Sequence, residues 1–412
     1  MSFIKKVENA VPFKDAVFLI AAKAKSAKAV YGADKVINAT LGTLYGEDGK
    51  IVAYNTVYDD YNKIDNRNKA KYPDALSGNS DYKKCVFDWV FQDKITSLQS
   101  SVTATPGGTG ALYLAIKSTL DEGQIILTPS IAWSSYTLMA KENHLVDVKY
   151  NMFVDDHFDL TGLEKVCNEV MDKQKKILMI LNDPLQNPTG YSLSYEEWEQ
   201  LIALLNKLSK KGDVVLINDI AYIDYSYNLA DSRKYMSLFN TITSKVCILV
   251  TFSGSKTMTS YGLRYGACIV LAKKRQDVAS ITNLFEKAGR ATWSCINNSA
   301  MVNFVNIMSH HQDEFIQEKS TYIAMLKNRS DIFKAEAHEV GLAIYPYKEG
   351  FFITIKTPNN AFRDIYQKLL MDNLIFTTAT NCGIRVAICG LSSAKCTGLA
   401  KKMKEIYDQV KE

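Results

Sequence analysis

The chain has 412 residues and 47% hydrophobic content, which suits two cores rather than one and a fold that needs no disulfide staples. Its 49 basic and 44 acidic residues give a net charge of +5 and are spread without long runs, which argues against a nucleic-acid stripe or a membrane-binding face. Eight cysteines contain no C-x-x-C pair and have no histidine placed to complete a zinc site, so reduced thiols, a cytoplasmic setting and no metal are expected.

The amino terminus, MSFIKKVENAVPF, has no long apolar core behind its lysines, and no window reaches the length of a spanning helix, so neither export nor membrane insertion is expected. Residues 14–30 predict a helix. Val36 to Thr40 predict a short strand running into the glycine-containing loop Leu41-Gly42-Thr43-Leu44-Tyr45. Asp48-Gly49 reads as a tight turn, and a polar, tyrosine-rich segment continues to about Pro73.

From about residue 100, short apolar strands alternate with helical segments. Ser101 to Thr105 is β-like, Pro106-Gly107-Gly108-Thr109-Gly110 forms a loop, and Ala111 to Leu120 has helical composition. Gln124 to Leu127, Val146 to Tyr150, Ile177 to Asn182, Val214 to Asp219 and Val246 to Phe252 continue the strand series. Among the helices, one opens with Ser194 and Glu197 as a capping box and places Trp198, Leu201, Leu205 and Leu208 on one face. Such alternation predicts an α/β fold: a large domain with a mostly parallel sheet sandwiched by helices. A long helical stretch at about 297–338 leads to a small α+β domain, with strands at Phe351 to Ile355 and Ile384 to Ile388 and a last helix facing inward through Leu399, Met403, Ile406 and Val410. The division expected is an N-terminal segment, 1–50, packing with the small domain; a large domain, 51–330; and the small domain, 331–412.

In open α/β sheets ligands sit beyond the carboxyl ends of the strands, and the unusual loops all fall there. Thr251 to Gly266, TFSGSKTMTSYGLRYG, places Lys256 in such a loop mouth, flanked by the hydroxyls of Ser253 and Ser255. A partly desolvated lysine amine can attack an aldehyde to form a Schiff base, and Arg264 offers a planar fork suited to phosphate. Gly108 and Thr109 precede a helix whose bare N–H groups can hold an anion. Asp219 ends a buried strand, where an unpaired carboxylate is costly and calls for a cationic partner. Asn187 can donate to a phenolate-like oxygen, Trp133 offers a flat face for stacking, and Tyr222 lies three residues after Asp219. Taken singly, each of these also reads as a turn or as core filling.

Taken in order, these motifs resemble the fold-type I pyridoxal-phosphate aminotransferases of class I, aspartate/aromatic branch, from the Gly42 loop to Arg385. The resemblance implies pyridoxal 5'-phosphate as cofactor, amino acid and 2-oxo acid substrates, and a homodimer with shared active sites. It puts the Schiff-base lysine at Lys256, the phosphate group at Arg264, Gly108 and Thr109, and the ring-nitrogen acid at Asp219. The ring's 3' oxygen falls to Tyr222 and Asn187, stacking to Trp133, and the α-carboxylate to Arg385 with the backbone of Gly42. Tyr72 and Arg290 would serve the opposite subunit's site, the latter for a distal carboxylate. Three places depart from the pattern: Gly107 replaces a serine, Tyr136 stands where a histidine is common, and Trp293-Ser294-Cys295-Ile296-Asn297 replaces a Tyr-Ser-Asn-Pro-Pro run.

Other readings are weaker on the residues. Ser253-x-x-Lys256 suits an acyl transferase only with Ser-Asp-Asn and Lys-Thr-Gly strings, and neither occurs. The 106–110 loop lacks the G-x-G-x-x-G spacing of a dinucleotide site. A non-catalytic regulator would need a DNA-binding segment, for which no room is expected outside Gly42 to Arg385. The nearest alternative is a carbon–sulfur β-lyase of the same fold, because both outcomes share the step that breaks the α-C–H bond.

Overall fold

Seven apolar segments pair edge to edge in the computed structural model of the chain, which describes residues 15–410. The leading sequence MSFIKKVENAVPF and the first residue of the expected 14–30 helix lie outside the described residues. The strands are β1 (Gln99–Thr105), β2 (Ile125–Pro129), β3 (Val146–Tyr150), β4 (Lys176–Asn182), β5 (Asp213–Asp219), β6 (Val246–Ser253) and β7 (Gly266–Ala272). Their order across the sheet is β1-β7-β6-β5-β4-β2-β3. β7 runs antiparallel to both neighbours, and the remaining ladders are parallel.

Continuous apolar runs are what a sheet covered on both faces requires. In β4 the residues from Ile177 to Leu181 are all buried, and they alternate between two cores. Leu178 and Ile180 join Ile217 and Leu249 on one face, while Ile177 and Met179 join Leu216 and Ile248 on the other. Each such side chain contributes about 1.5–3 kcal/mol by leaving water, so the sheet is the main store of stability. The strand series read from the sequence ends at Phe252, and β7 is an addition: its apolar run, Gly266–Ala272, is buried throughout like that of β4.

The helix opened by Ser194 and Glu197 has both halves of its capping box, and Trp198, Leu201, Leu205 and Leu208 are buried as the spacing predicts. The helix expected from Ala111 begins four residues earlier, at Gly107, so Gly108 and Thr109 lie in its first turn. Gly107 has φ +74, a conformation open to glycine, which lets the chain leave β1 and enter the helix at once. The stretch expected to be helical across 297–338 is two helices, Asn298–His310 and Gln312–Glu339, separated at His311 where ψ is 23 and the helical ladder breaks.

The carboxyl-terminal region adds a three-stranded antiparallel sheet of β8 (Phe352–Lys356), β9 (Thr378–Thr380) and β10 (Gly383–Ala387), with β10 in the centre. Helices Asn360–Asp372 and Leu399–Tyr407 pack on it through Tyr366, Leu370 and Met403. Ile37–Asn38 pairs in parallel with Ile375–Phe376, which brings the 41–45 loop over the large sheet. The observed fold is α/β with a small second sheet, as the alternation predicts.

Candidate active site

Register places the site. Asn182 of β4 pairs with Asp219 of β5, and Asp219 with Thr251 of β6; Gly266 of β7 pairs with both Ser253 and Thr105. Five strand ends therefore share one rim, and a cavity of about 390 Å³ opens on it. Gly42, Gly108, Thr109, Trp133, Asn187, Asp219, Tyr222, Ser253, Ser255, Lys256, Arg264 and Arg385, read from the sequence as one constellation, all line this cavity.

Lys256 is carried by a four-residue helix, Gly254–Thr257, at the end of β6. Its Nζ donates to the Gly42 carbonyl at 2.6 Å and lies 4.6 Å from the centroid of the Tyr261 ring. Burial, with the nearby Arg264 and Arg385 charges, holds its pKa down to about 8. At pH 7 roughly one such amine in eleven is unprotonated, against roughly one in three thousand for an ordinary lysine, so the nucleophilic form is within reach.

Asp219 is buried and accepts from the Tyr136 hydroxyl at 2.6 Å and from the Ala221 N–H at 3.1 Å. Burial raises its pKa, and those two hydrogen bonds oppose the rise. The cationic partner expected for it is not a side chain: among the described residues its hydrogen bonds come from neutral groups alone. Tyr136, which stands where a histidine was the commoner residue, supplies the orienting bond with a phenol. Asn182 Nδ2 donates to the Asp219 carbonyl at 2.7 Å while its Oδ1 accepts the Asn187 N–H at 2.8 Å, tying Asn187 to the same strand ends.

At the other end of the cavity Arg264 donates to Ser255 Oγ at 3.0 Å and packs over Gly107, where a Cβ would lie 2.8 Å from Nη2. A Cβ on Gly108 would approach that of Ser253 to 3.2 Å. The bare first turn of the Gly107–Thr119 helix, which has no side-chain cap, faces this corner with its N–H groups.

Arg385 sits in the central strand β10 and donates from Nη1 to Asn187 Oδ1 at 3.0 Å and from Nη2 to the Thr40 carbonyl. Its guanidinium lies 4.5 Å from the centroid of the Phe352 ring, and its buried Nε has no acceptor among the described residues. Thr354 Oγ1 donates to the Pro188 carbonyl at 2.7 Å, so the small sheet is tied to the Asn187 loop and Arg385 faces Lys256 across the cavity.

Tyr72 and Arg290 are elsewhere. Tyr72 is 81% exposed and shares a separate surface depression with Arg290, Ser294 and Cys295. Tyr261 is a site residue missed at the sequence level: its ring faces Lys256 and its hydroxyl accepts the Leu44 N–H at 3.0 Å. It lies within the stretch that drew attention to Lys256, but a tyrosine beside Gly262 and Leu263 carries no spacing that separates it from core filling.

An amine, a buried acid, the Arg264 corner and the Arg385 guanidinium thus line one cavity. Residues 34–403 match the family described as aminotransferase class I and II, and the chain belongs to that family. An aminotransferase of Anaerococcus prevotii is similar over the full length of both chains, at 32% identity with a TM-score of 0.94. An aromatic-amino-acid aminotransferase of Burkholderia pseudomallei, solved covalently bound to pyridoxal phosphate, shares the fold at 18% identity and a TM-score of 0.78, over 99% of this chain and 100% of that one. A probable aspartate/prephenate aminotransferase of Aquifex aeolicus is 26% identical over 255 residues, 60% of this chain and 61% of its own length. An aromatic-amino-acid aminotransferase of Pseudomonas aeruginosa is 28% identical over 204 residues, 48% of each chain. The chain thus spans about half to three fifths of these two curated relatives.

Proposed function

We propose that this protein is a pyridoxal-phosphate-dependent aminotransferase that moves the amino group of an aspartate-like or aromatic amino acid to a 2-oxo acid such as 2-oxoglutarate. The observation that carries the reading is the convergence of Lys256, Asp219 and Arg385 on one cavity. The residues fit the cofactor: Asp219 is a buried acceptor whose protein partners are neutral, which suits a protonated ring nitrogen, and Arg264 with the Gly108–Thr109 turn suits a phosphate.

Pyridoxal phosphate, when bound, supplies an electron sink for the pair released as the substrate's α-C–H bond breaks. Asp219 would keep the ring nitrogen protonated, with Tyr136 orienting the carboxylate. Tyr222 and Asn187 would hold the 3' oxygen, and Trp133 would offer its face to the ring. Lys256 Nζ would hold the cofactor's aldehyde carbon and, as a free amine, would take up and return the substrate's α-proton. Arg385 grips the α-carboxylate through its fork, with the Gly42 backbone beside it, and so sets the direction in which that bond breaks.

We infer a homodimer in which Tyr72 and Arg290 serve the partner's site. The reading is supported by their shared exposed depression outside the Lys256 cavity. An active monomer in light scattering would remove both assignments. The packing of the 1–50 segment with the small domain is supported by the pairing of Ile37–Asn38 with Ile375–Phe376, the proposed division between 330 and 331 falls within the helix Gln312–Glu339, and eight free cysteines suit a cytoplasmic setting. Among the described residues no helix is long and apolar enough to cross a membrane.

The test is to incubate the cofactor-loaded protein with 2-oxoglutarate and aspartate, tyrosine, phenylalanine or alanine. Glutamate formation is expected. With a cysteine-type donor, pyruvate and ammonia without glutamate would mark a β-lyase instead. Lys256→Ala should abolish the absorbance change on borohydride treatment, and an unchanged response would move the attachment point.

A further inference from the structure

Beneath the Lys256 turn lies a buried charged cluster that the chemistry above does not use. Asp224, two residues after Tyr222, is 1% exposed. Its Oδ2 accepts from Thr257 Oγ1 at 2.6 Å and from Trp89 Nε1 at 3.2 Å, and its Oδ1 accepts from Arg233 Nη2. Arg233 is 2% exposed and also donates to the Trp89 carbonyl at 3.2 Å. Lys319, 1% exposed, completes the cluster: its Nζ lies 4.0 Å from the Phe315 centroid and 5.1 Å from the Trp89 centroid, with no hydrogen-bond acceptor among the described residues.

Three buried charges are a costly way to fill space, since apolar residues of the same volume pack at least as well. Their placement suggests what they secure. Thr257 is the neighbour of Lys256 and belongs to a helix of four residues, too short to hold its own geometry. Asp224 belongs to the turn that carries Tyr222, and Lys319 to the helix Gln312–Glu339 that leads from the large sheet to the small one. One carboxylate thus meets the two turns that bear Lys256 and Tyr222, and shares the Trp89 indole with Lys319 of the connecting helix.

We propose that Asp224 is a positioning residue for the amino-transfer reaction: through Thr257 it fixes the Lys256 turn against the Tyr222 turn, and the Trp89 indole that bonds it also packs under Lys319 of the connecting helix. The proposal rests on the reading of Lys256 as the cofactor lysine. Lys256 Nζ must reach a reacting atom from a short turn, and a displacement of about 1 Å in such geometry costs on the order of 100-fold in rate.

Thr257→Val tests this with least disturbance, because it keeps the volume and removes only the hydroxyl. The expected result is a fall in kcat of roughly 10- to 100-fold with KM for the amino donor changed by less than about 3-fold. In the cofactor-free protein the amides of Met258 and Thr259, which bond to Gly254 and Lys256, should exchange faster. The pH midpoint of the bound cofactor's visible band should move, and Thr257→Ser should restore all three. Asp224→Asn is read in the same way, and Thr257→Ala replaces Thr257→Val should that variant not accumulate. Unchanged kcat, exchange and midpoint would overturn the proposal. So would a lower melting temperature with kcat and midpoint unchanged, which would make the cluster a packing device. Failure of the Lys256 assignment is separate: it would show as a borohydride response that survives in Lys256→Ala.

Discussion

Replacing Tyr136 by phenylalanine removes one atom at the base of the site, and the structure says what that atom does. The phenol is enclosed and donates at 2.6 Å to Oδ2 of Asp219, a residue itself only 4% exposed. A hydrogen bond to a charged acceptor is worth about 1.5–3 kcal/mol, which is roughly 10- to 150-fold in an equilibrium constant. Without it the buried carboxylate is less stable as an anion, so its raised pKa rises further and its hold on a protonated ring weakens. Cofactor affinity, measured by equilibrium titration of the cofactor-free protein, should fall by about that factor. The sign for stability follows from the same shift. A carboxyl whose folded pKa is raised contributes stability that is full below its unfolded pKa of about 3.9 and is lost as pH rises through the folded value. Tyr136→Phe should therefore extend that loss to higher pH in urea melts of the cofactor-free protein. Affinity and pH profile both equal to those of the parent would show that Asp219 does not depend on the phenol, and the account of the acid would be wrong.

Other consequences follow from the same geometry. Asp183 is buried with donors from the Leu193 N–H and Trp198 Nε1, and burial pushes its pKa up to about 7. Its stability contribution is full below about 3.9 and lost as pH rises through about 7, so Asp183→Asn should flatten the urea midpoint across that window. Gly42→Ala would place a Cβ 2.6 Å from Phe352 Cζ, beneath the Arg385 guanidinium. Turnover efficiency should drop roughly 10- to 100-fold with little change in melting temperature, as steady-state kinetics and calorimetry would check. Leu178→Ala opens a cavity in the fully buried centre of β4 and should cost about 2–5 kcal/mol in denaturant unfolding, with cofactor binding retained in what still folds.

Much of this molecule can be read in local chemistry. Lys256 and Asn187 follow, and Asp219 ends, strands whose apolar runs are plain in the sequence, and a parallel sheet puts such termini on one rim. The Ser194 capping box is visible for the same reason, since both partners lie within one helical turn. β7 is an apolar run as continuous as β4 and could have been read as a strand; what local sequence does not show is that it inserts antiparallel between β6 and the distant β1.

What the residues determined alone is which strands form and which reactive groups end them. Only the tertiary structure decided that Asp219 is steadied by a neutral phenol, that the Tyr261 hydroxyl holds the Leu44 amide, and that Arg385 bonds Asn187 from a second sheet. Those contacts join residues 83, 217 and 198 positions apart, as in the bonds from Tyr136 to Asp219, Leu44 to Tyr261 and Arg385 to Asn187. Nothing in the local preference of a chain encodes a meeting at that separation, since it is set by how whole sheets pack.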